Sequence, residues 1–124
     1  MAGRVSHDRS EPKIDFVALV GEHDGYTRGK LEDMIVAELR EGLAVVADLR
    51  RTEFADSAVV SMLLLADGEA RLHGATFLVL VNEETGPAVR KLFELTGLVR
   101  VFRMASSREE AVRICQSDSA AADG

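Results

Sequence analysis

Cysteine is nearly absent: Cys115 is the only one in 124 residues. One thiol closes no internal disulfide and builds no structural zinc cluster. Long hydrophobic runs are missing too. The longest nearly apolar stretch, residues 58–66, falls far short of the ~18–20 residues that span a bilayer. Basic charge is scarce, since 15 Lys and Arg against 21 Asp and Glu leave a net charge of −6. A binder of phosphate backbones needs a basic footprint, so direct contact with nucleic acid is excluded. No apolar stretch follows Met1–Arg4, so neither a secretory signal nor membrane attachment is expected, and the expected compartment is the cytoplasm. No Gly-rich phosphate loop of the P-loop or dinucleotide kind is present. No serine sits in a Gly-flanked strained turn, and no histidine is spaced as its base. An enzyme is therefore not expected, nor is a cofactor held by the chain itself.

What is present suits one globular domain. Apolar residues make up 47% and charged residues 29%, enough for a core without global disorder. Residues 1–12 form a polar N-terminal segment with room for a short edge strand near residues 4–7. The domain proper is expected over 13–116, and 117–124 is a small, acidic tail expected to fray.

Between the tails, strand and helix patterns alternate. Residues 14–21 predict a strand. Residues 27–41 predict a helix with the stripe Leu31, Met34, Ile35 and Leu39, capped by Thr27 and stopped by Gly42. Residues 43–49 are apolar at nearly every position up to Asp48, which predicts a central strand buried on both faces. Residues 58–73 predict a second helix, stopped by Gly74, and 76–81 a second central strand. Residues 85–96 predict a third helix, with Thr85 as cap and Pro87 in the first turn. Its inner face is Val89, Leu92, Phe93 and Thr96, Arg90 faces Glu94, and Gly97-Leu98 makes the ending. A short strand over 101–103 follows. Then comes a helix capped by Ser107, with Ala111, Ile114 and Cys115 turned inward. This alternation predicts an α/β fold with mostly parallel strands.

Sites in such folds form at the carboxyl ends of strands. Two segments qualify. Phe54-Ala55-Asp56-Ser57-Ala58-Val59 lies between a central strand and the second helix. Asp56 or Ser57 is a natural N-cap there, and the Ser57 hydroxyl is also a candidate phosphate acceptor, because a helix start offers free N–H groups and a positive dipole end. In the helix that follows, Val59, Val60, Met62, Leu63, Leu64 and Leu65 leave almost no polar face. The surplus is either covered by the rest of the domain or offered to a partner. The second segment is Gly21-Glu22-His23-Asp24. Glu22 and Asp24 are either solvated loop acids, or electrostatic neighbours of the serine, or transient magnesium ligands with a nucleotide. His23 reads as solvent-facing, while His7 and His73 show no ligand spacing and take no role. Cys115 reads as a small core residue; the alternative is an intermolecular redox bridge if the last helix lifts.

Taken together, Gly21-Glu22-His23-Asp24 with Leu31, Asp48-Leu49 with Phe54-Ala55-Asp56-Ser57, residues 90–98 with Val101-Phe102, and Ser107-Arg108-Glu109-Glu110-Ala111 resemble STAS domains over residues 14–115. The type most similar is the bacterial anti-sigma factor antagonist. The resemblance implies a STAS-type α/β fold, a small mixed, mostly parallel β-sheet flanked by about four helices. It also implies a binding switch. The antagonist binds an anti-sigma factor, often a serine kinase, and so frees the sigma factor. The kinase brings ATP and magnesium and phosphorylates the serine after the motif aspartate, and a metal-dependent serine phosphatase reverses the step. The acceptor maps onto Ser57 and the motif aspartates onto Asp24 and Asp56, with Glu22 as a further neighbour. Ala58, Val59, Val60, Met62 and Leu63 are the expected partner contacts, on a monomer or weak dimer. Two departures stand out: Ala58 replaces a second Ser or Thr, and Val59 replaces Gly, which puts a branched side chain where a partner backbone approaches. They favour an alternative, an unphosphorylated STAS interaction module within a larger signalling or transport-associated assembly.

Overall fold

The computed structural model describes residues 3–11, 13–23 and 25–123. Along the chain these form β1 (Arg4–Asp8), β2 (Ile14–His23), α1 (Gly25–Arg40), β3 (Ala44–Asp48), β4 (Thr52–Ala55), α2 (Ser57–His73), β5 (Phe77–Leu80), α3 (Pro87–Thr96), α4 (Leu98–Val101), β6 (Met104–Ala105) and α5 (Arg108–Asp123). The result is a mixed, six-stranded sheet in the order β1-β2-β3-β5-β6, with β4 beside β2. Only the β1–β2 pair is antiparallel. No helix among the described residues is long and apolar enough to cross a membrane.

Strand β2 organises the sheet because three neighbours share its ten residues. β1 runs along one edge, β3 pairs with Ile14–Ala18, and β4 pairs with Gly21–His23. Gly21 has φ +88°, and the register of the β2–β4 pair shifts between Gly21 and Glu22. That bulge lets one strand serve two partners in series.

Alternation along the strands separates two cores. Val17, Leu19, Val45, Ala47, Phe77 and Val79 point to the face covered by α1 to α4. Ile14, Phe16, Val46, Leu78 and Leu80 point to the face where α5 lays Ala111 and Cys115. β3 and β5 are buried on both sides, as an unbroken apolar run requires. Burial pushes the Cys115 thiol up to about 11, so it behaves as a core residue.

Several local expectations are corrected. α1 begins at Gly25, so Thr27 lies inside the helix and is not its cap. β4 has no apolar alternation, since only Thr52 and Ala55 are buried, and it forms because β2 extends far enough to pair with it. Thr85 is not the cap of α3. Its hydroxyl accepts the Asn82 N–H at 3.2 Å, and Gly86 takes the N-cap position. Gly86 is needed there, because a Cβ would meet the Glu53 Cα at 2.8 Å. Arg90 turns to the Thr85 carbonyl at 3.0 Å and not to Glu94. Residues 98–101 form one helical turn where a strand over 101–103 was expected. Left-handed Gly97 reverses the chain, and the Phe102 N–H closes on the Leu98 carbonyl. Phe102 then packs against Phe77 and Phe93, with ring centroids 6.3 and 6.1 Å away. The last helix, α5, runs to Asp123. Asp118 anchors it by accepting from Thr76 Oγ1 at 2.7 Å and pairing with Arg103.

Candidate functional site

The carboxyl ends of β2 and β4 lie side by side, with Glu22 opposite Phe54 and His23 opposite Ala55. The Asp56 N–H donates to the His23 carbonyl at 3.3 Å, which extends the pairing one residue beyond the strand. Asp56 has extended backbone (φ −89°, ψ −179°), the geometry of an N-cap. Its Oδ1 accepts the Val59 N–H at 3.1 Å, and its carbonyl accepts the Val60 N–H at 3.1 Å. Both ends of this one residue are thus engaged, the amide with β2 and the carboxylate with α2.

Ser57 is the first helical residue, and it is exposed. Among the described residues nothing packs over it that would wall off the hydroxyl. Glu22 and Glu53 are exposed on the adjoining strand ends. Asp24, the other expected neighbour, lies outside the described residues, directly after His23. Among the described residues no third ligating side chain joins Glu22 and Asp56 in a metal-sized cluster.

His23 corrects its expected solvent-facing place. It is the last residue of β2, 1% exposed, and its Nε2–H donates to the Val20 carbonyl at 3.0 Å. Gly3 lies directly over it, since a Cβ there would come within 2.8 Å of Nε2. The histidine therefore fills space beneath the site.

The rotation of α2 is now fixed, and three expected contacts are corrected. Val59, Met62 and Leu63 are at most 1% exposed and belong to the main core. They continue as Ala66 and Ala70, the inward stripe of the whole helix. Val59, being buried, presents no branched side chain to a partner. Val60 and Ala58 are half-buried. The outward stripe is Ser57, Ser61, Leu64 and Leu65, with the two leucines 41% and 39% exposed. Phe54, on β4 just before the serine, is 48% exposed. The expected partner contacts left out Phe54, Leu64 and Leu65, which the structure exposes. The signal was available in the second half of the helix, where Ala66 and Ala70 continue the inward stripe while Glu69, Arg71 and His73 fall off it.

The site is an exposed hydroxyl at a helix start, next in sequence to the capping Asp56 and followed by an apolar, outward helical stripe. Such a surface suits docking of a protein, with a charge-sensitive group at its rim.

Comparison with known proteins adds the following. The family described as "Mlab, STAS domain" matches residues 6–104. A Bordetella bronchiseptica protein named "Putative anti-sigma factor antagonist BtrV" is 34% identical over 104 residues, covering 80% of this chain and 86% of that protein. An anti-sigma factor antagonist from Mycobacterium paratuberculosis superposes with a TM-score of 0.76 at 25% identity, over 93% of this chain and 95% of that one. The anti-sigma factor antagonist SpoIIAA in its unphosphorylated form superposes with a TM-score of 0.75 at 22% identity, over 92% and 97%, a likeness of fold.

Proposed function

The chain belongs to the STAS domain family, and from that premise we propose that it is an anti-sigma factor antagonist switched by phosphorylation of Ser57. In this reading the outward stripe of α2, Leu64 and Leu65 with Phe54 and the half-buried Ala58 and Val60, docks an anti-sigma factor of the serine-kinase kind. The partner brings ATP and magnesium. The Ser57 oxygen attacks the γ-phosphorus, the bond to ADP breaks, and the hydroxyl proton leaves to solvent or a partner base. A metal-dependent serine phosphatase restores the hydroxyl by hydrolysis.

The physical consequence follows from charge. A phosphoryl group adds about −1.5 to −2 beside Asp56, Glu22 and Glu53. The first-turn N–H groups and the helix dipole hold it in place, so α2 stays folded. A docked apolar surface, however, has to desolvate a dianion next to carboxylates, and that penalty separates the pair. The observation that carries the reading is the exposure of Ser57 together with the full engagement of Asp56 as cap. The hydroxyl is presented and is not consumed in holding the helix. Val59, turned inward, removes one of the two arguments for an unswitched module.

The test is recovery of the full chain's partner from lysate with and without ATP, followed by phosphosite mapping. ATP is expected to dissolve the wild-type complex with label on Ser57. Ser57→Ala is expected to hold its partner in ATP, and Ser57→Asp to bind weakly without it. A partner complex that ATP leaves intact, with Ser57 unlabelled, supports the unswitched module instead.

A further inference from the structure

At the opposite end of β2, three ligating side chains from three elements converge. Asp15 lies near the start of the strand and Ser57 follows its far end. Eight residues separate Asp15 from His23, about 26 Å at the usual rise. Asp15 shares a face with Val17, and His7 of β1 stands opposite Val17 in the ladder. Glu38 reaches this face from the last turn of α1. One ligand atom from each of His7, Asp15 and Glu38 lies within 4.8 Å of the others. Asp15 is 1% exposed and Glu38 8%.

Two observations show that these side chains are incomplete as they stand. Both Glu38 carboxylate oxygens are buried with no hydrogen-bond partner. A buried carboxylate without partners costs heavily and calls for a cation or a proton. The end of α1 adds negative potential at the same place: the Glu38 carbonyl, among the last of the helix, faces outward to Glu41 and Leu43 N–H groups. Among the described residues the His7 ring adjoins this pair, its Nδ1 lying 3.2 and 3.0 Å from the two Asp15 oxygens. That spacing is a little under the edge, about 3.3–3.6 Å, of a tetrahedral shell built at about 2.0–2.2 Å from a metal.

We propose that His7, Asp15 and Glu38 bind one divalent transition-metal ion of the zinc class. One imidazole nitrogen with two carboxylates is a mixed N/O donor set, which suits zinc better than the all-oxygen cations magnesium and calcium. Water completes the shell from the solvent side, where the His7 side chain is 33% exposed. The ion ties an otherwise exposed edge strand to the sheet and to α1. It lies at the end of β2 away from the Ser57 segment, so it is independent of the switch.

The experiment uses the full chain stripped with chelator and titrated calorimetrically with zinc sulfate, with magnesium as a parallel arm. One zinc equivalent is expected, with slowed amide exchange in β1, and magnesium is expected not to compete. His7→Ala, on an exposed strand, and the isosteric Glu38→Gln should each weaken zinc more than about tenfold. His73→Ala, at the exposed His73–Glu69 pair, should leave binding unchanged. Absence of zinc uptake overturns the proposal and leaves a shared proton as the neutralising group. Uptake that His7→Ala and Glu38→Gln do not weaken overturns it equally.

Discussion

The Asp56 amide donates to the His23 carbonyl at 3.3 Å, and the Asp56 carboxylate accepts from Val59 at 3.1 Å. Two segments that are remote in sequence are thereby joined by one residue. The end of β2 fixes where α2 begins, and the start of α2 fixes where Ser57 is displayed. The acid is structural first, and its negative charge beside the hydroxyl follows from that role.

Removing this cap has a defined cost. Asp56→Ala is expected to lose about 1 kcal/mol of stability, the usual worth of an N-cap, while Asp56→Asn keeps most of it. Urea denaturation of the three proteins measures this. Equal midpoints for wild type and Asp56→Ala would show that the carboxylate does not hold the helix end.

The two faces of α2 should separate stability from binding. Leu63→Ala empties a fully packed position and is expected to cost about 2–5 kcal/mol. Leu64→Ser changes an exposed position and is expected to stay within about 0.5 kcal/mol of wild type. Partner affinity should respond in the opposite order, with Leu64→Ser weakening the complex more than tenfold and folded Leu63→Ala binding normally. Affinity measured by titration against the recovered anti-sigma factor decides it, and a Leu64→Ser protein that binds as wild type places the interface elsewhere.

The elements that were legible in the sequence are those whose pattern is set by their own burial. β3 and β5 are continuous apolar runs because both faces are covered, and Ser107 and Gly74 mark helix ends through local backbone chemistry. What was not legible depends on a partner elsewhere in the chain. β4 exists because β2 overruns β3, which no property of Thr52-Glu53-Phe54-Ala55 announces. His23 is buried because Gly3 closes over it. At the site, the serine and its cap could be read from local types, but the facing of α2 could not be read from its first two turns. Apart from Ser57 and Ser61 the positions there are apolar, and the core stripe declares itself further on, through Ala66 and Ala70.

The anchoring of α5 should show in acid. The Arg103 guanidinium, with the Thr76 hydroxyl, holds the Asp118 carboxyl below its ordinary value of 3.8. A carboxyl with a lowered folded value adds stability above the unfolded value and loses it as the pH falls through the folded one. Wild type is therefore expected to exceed Asp118→Asn in stability at neutral pH, with the gap closing in acid below 3.8. Urea midpoints across that range measure it, and a gap that persists undiminished in acid would show that the charge of Asp118 is not what anchors the helix.

Glu38 should act with the opposite sign in metal-free, chelator-containing buffer. Burial first, and then the Asp15 carboxyl, push Glu38 up from 4.5 to about 7, with Glu41 adding to the rise and Arg9 opposing it. Between those values the folded chain holds a proton that the unfolded chain has released, so stability falls as the pH rises through that window and levels off above it. The informative quantity is the difference between wild type and Glu38→Gln, which share every other titratable group. Glu38→Gln cannot ionise, and it is expected to gain on wild type steadily across the window and to be the more stable protein above it. Thermal midpoints collected over this pH range for both proteins provide the comparison. Parallel curves would mean that the folded protein carries Glu38 as a charge at no cost, which its two unpartnered buried oxygens argue against.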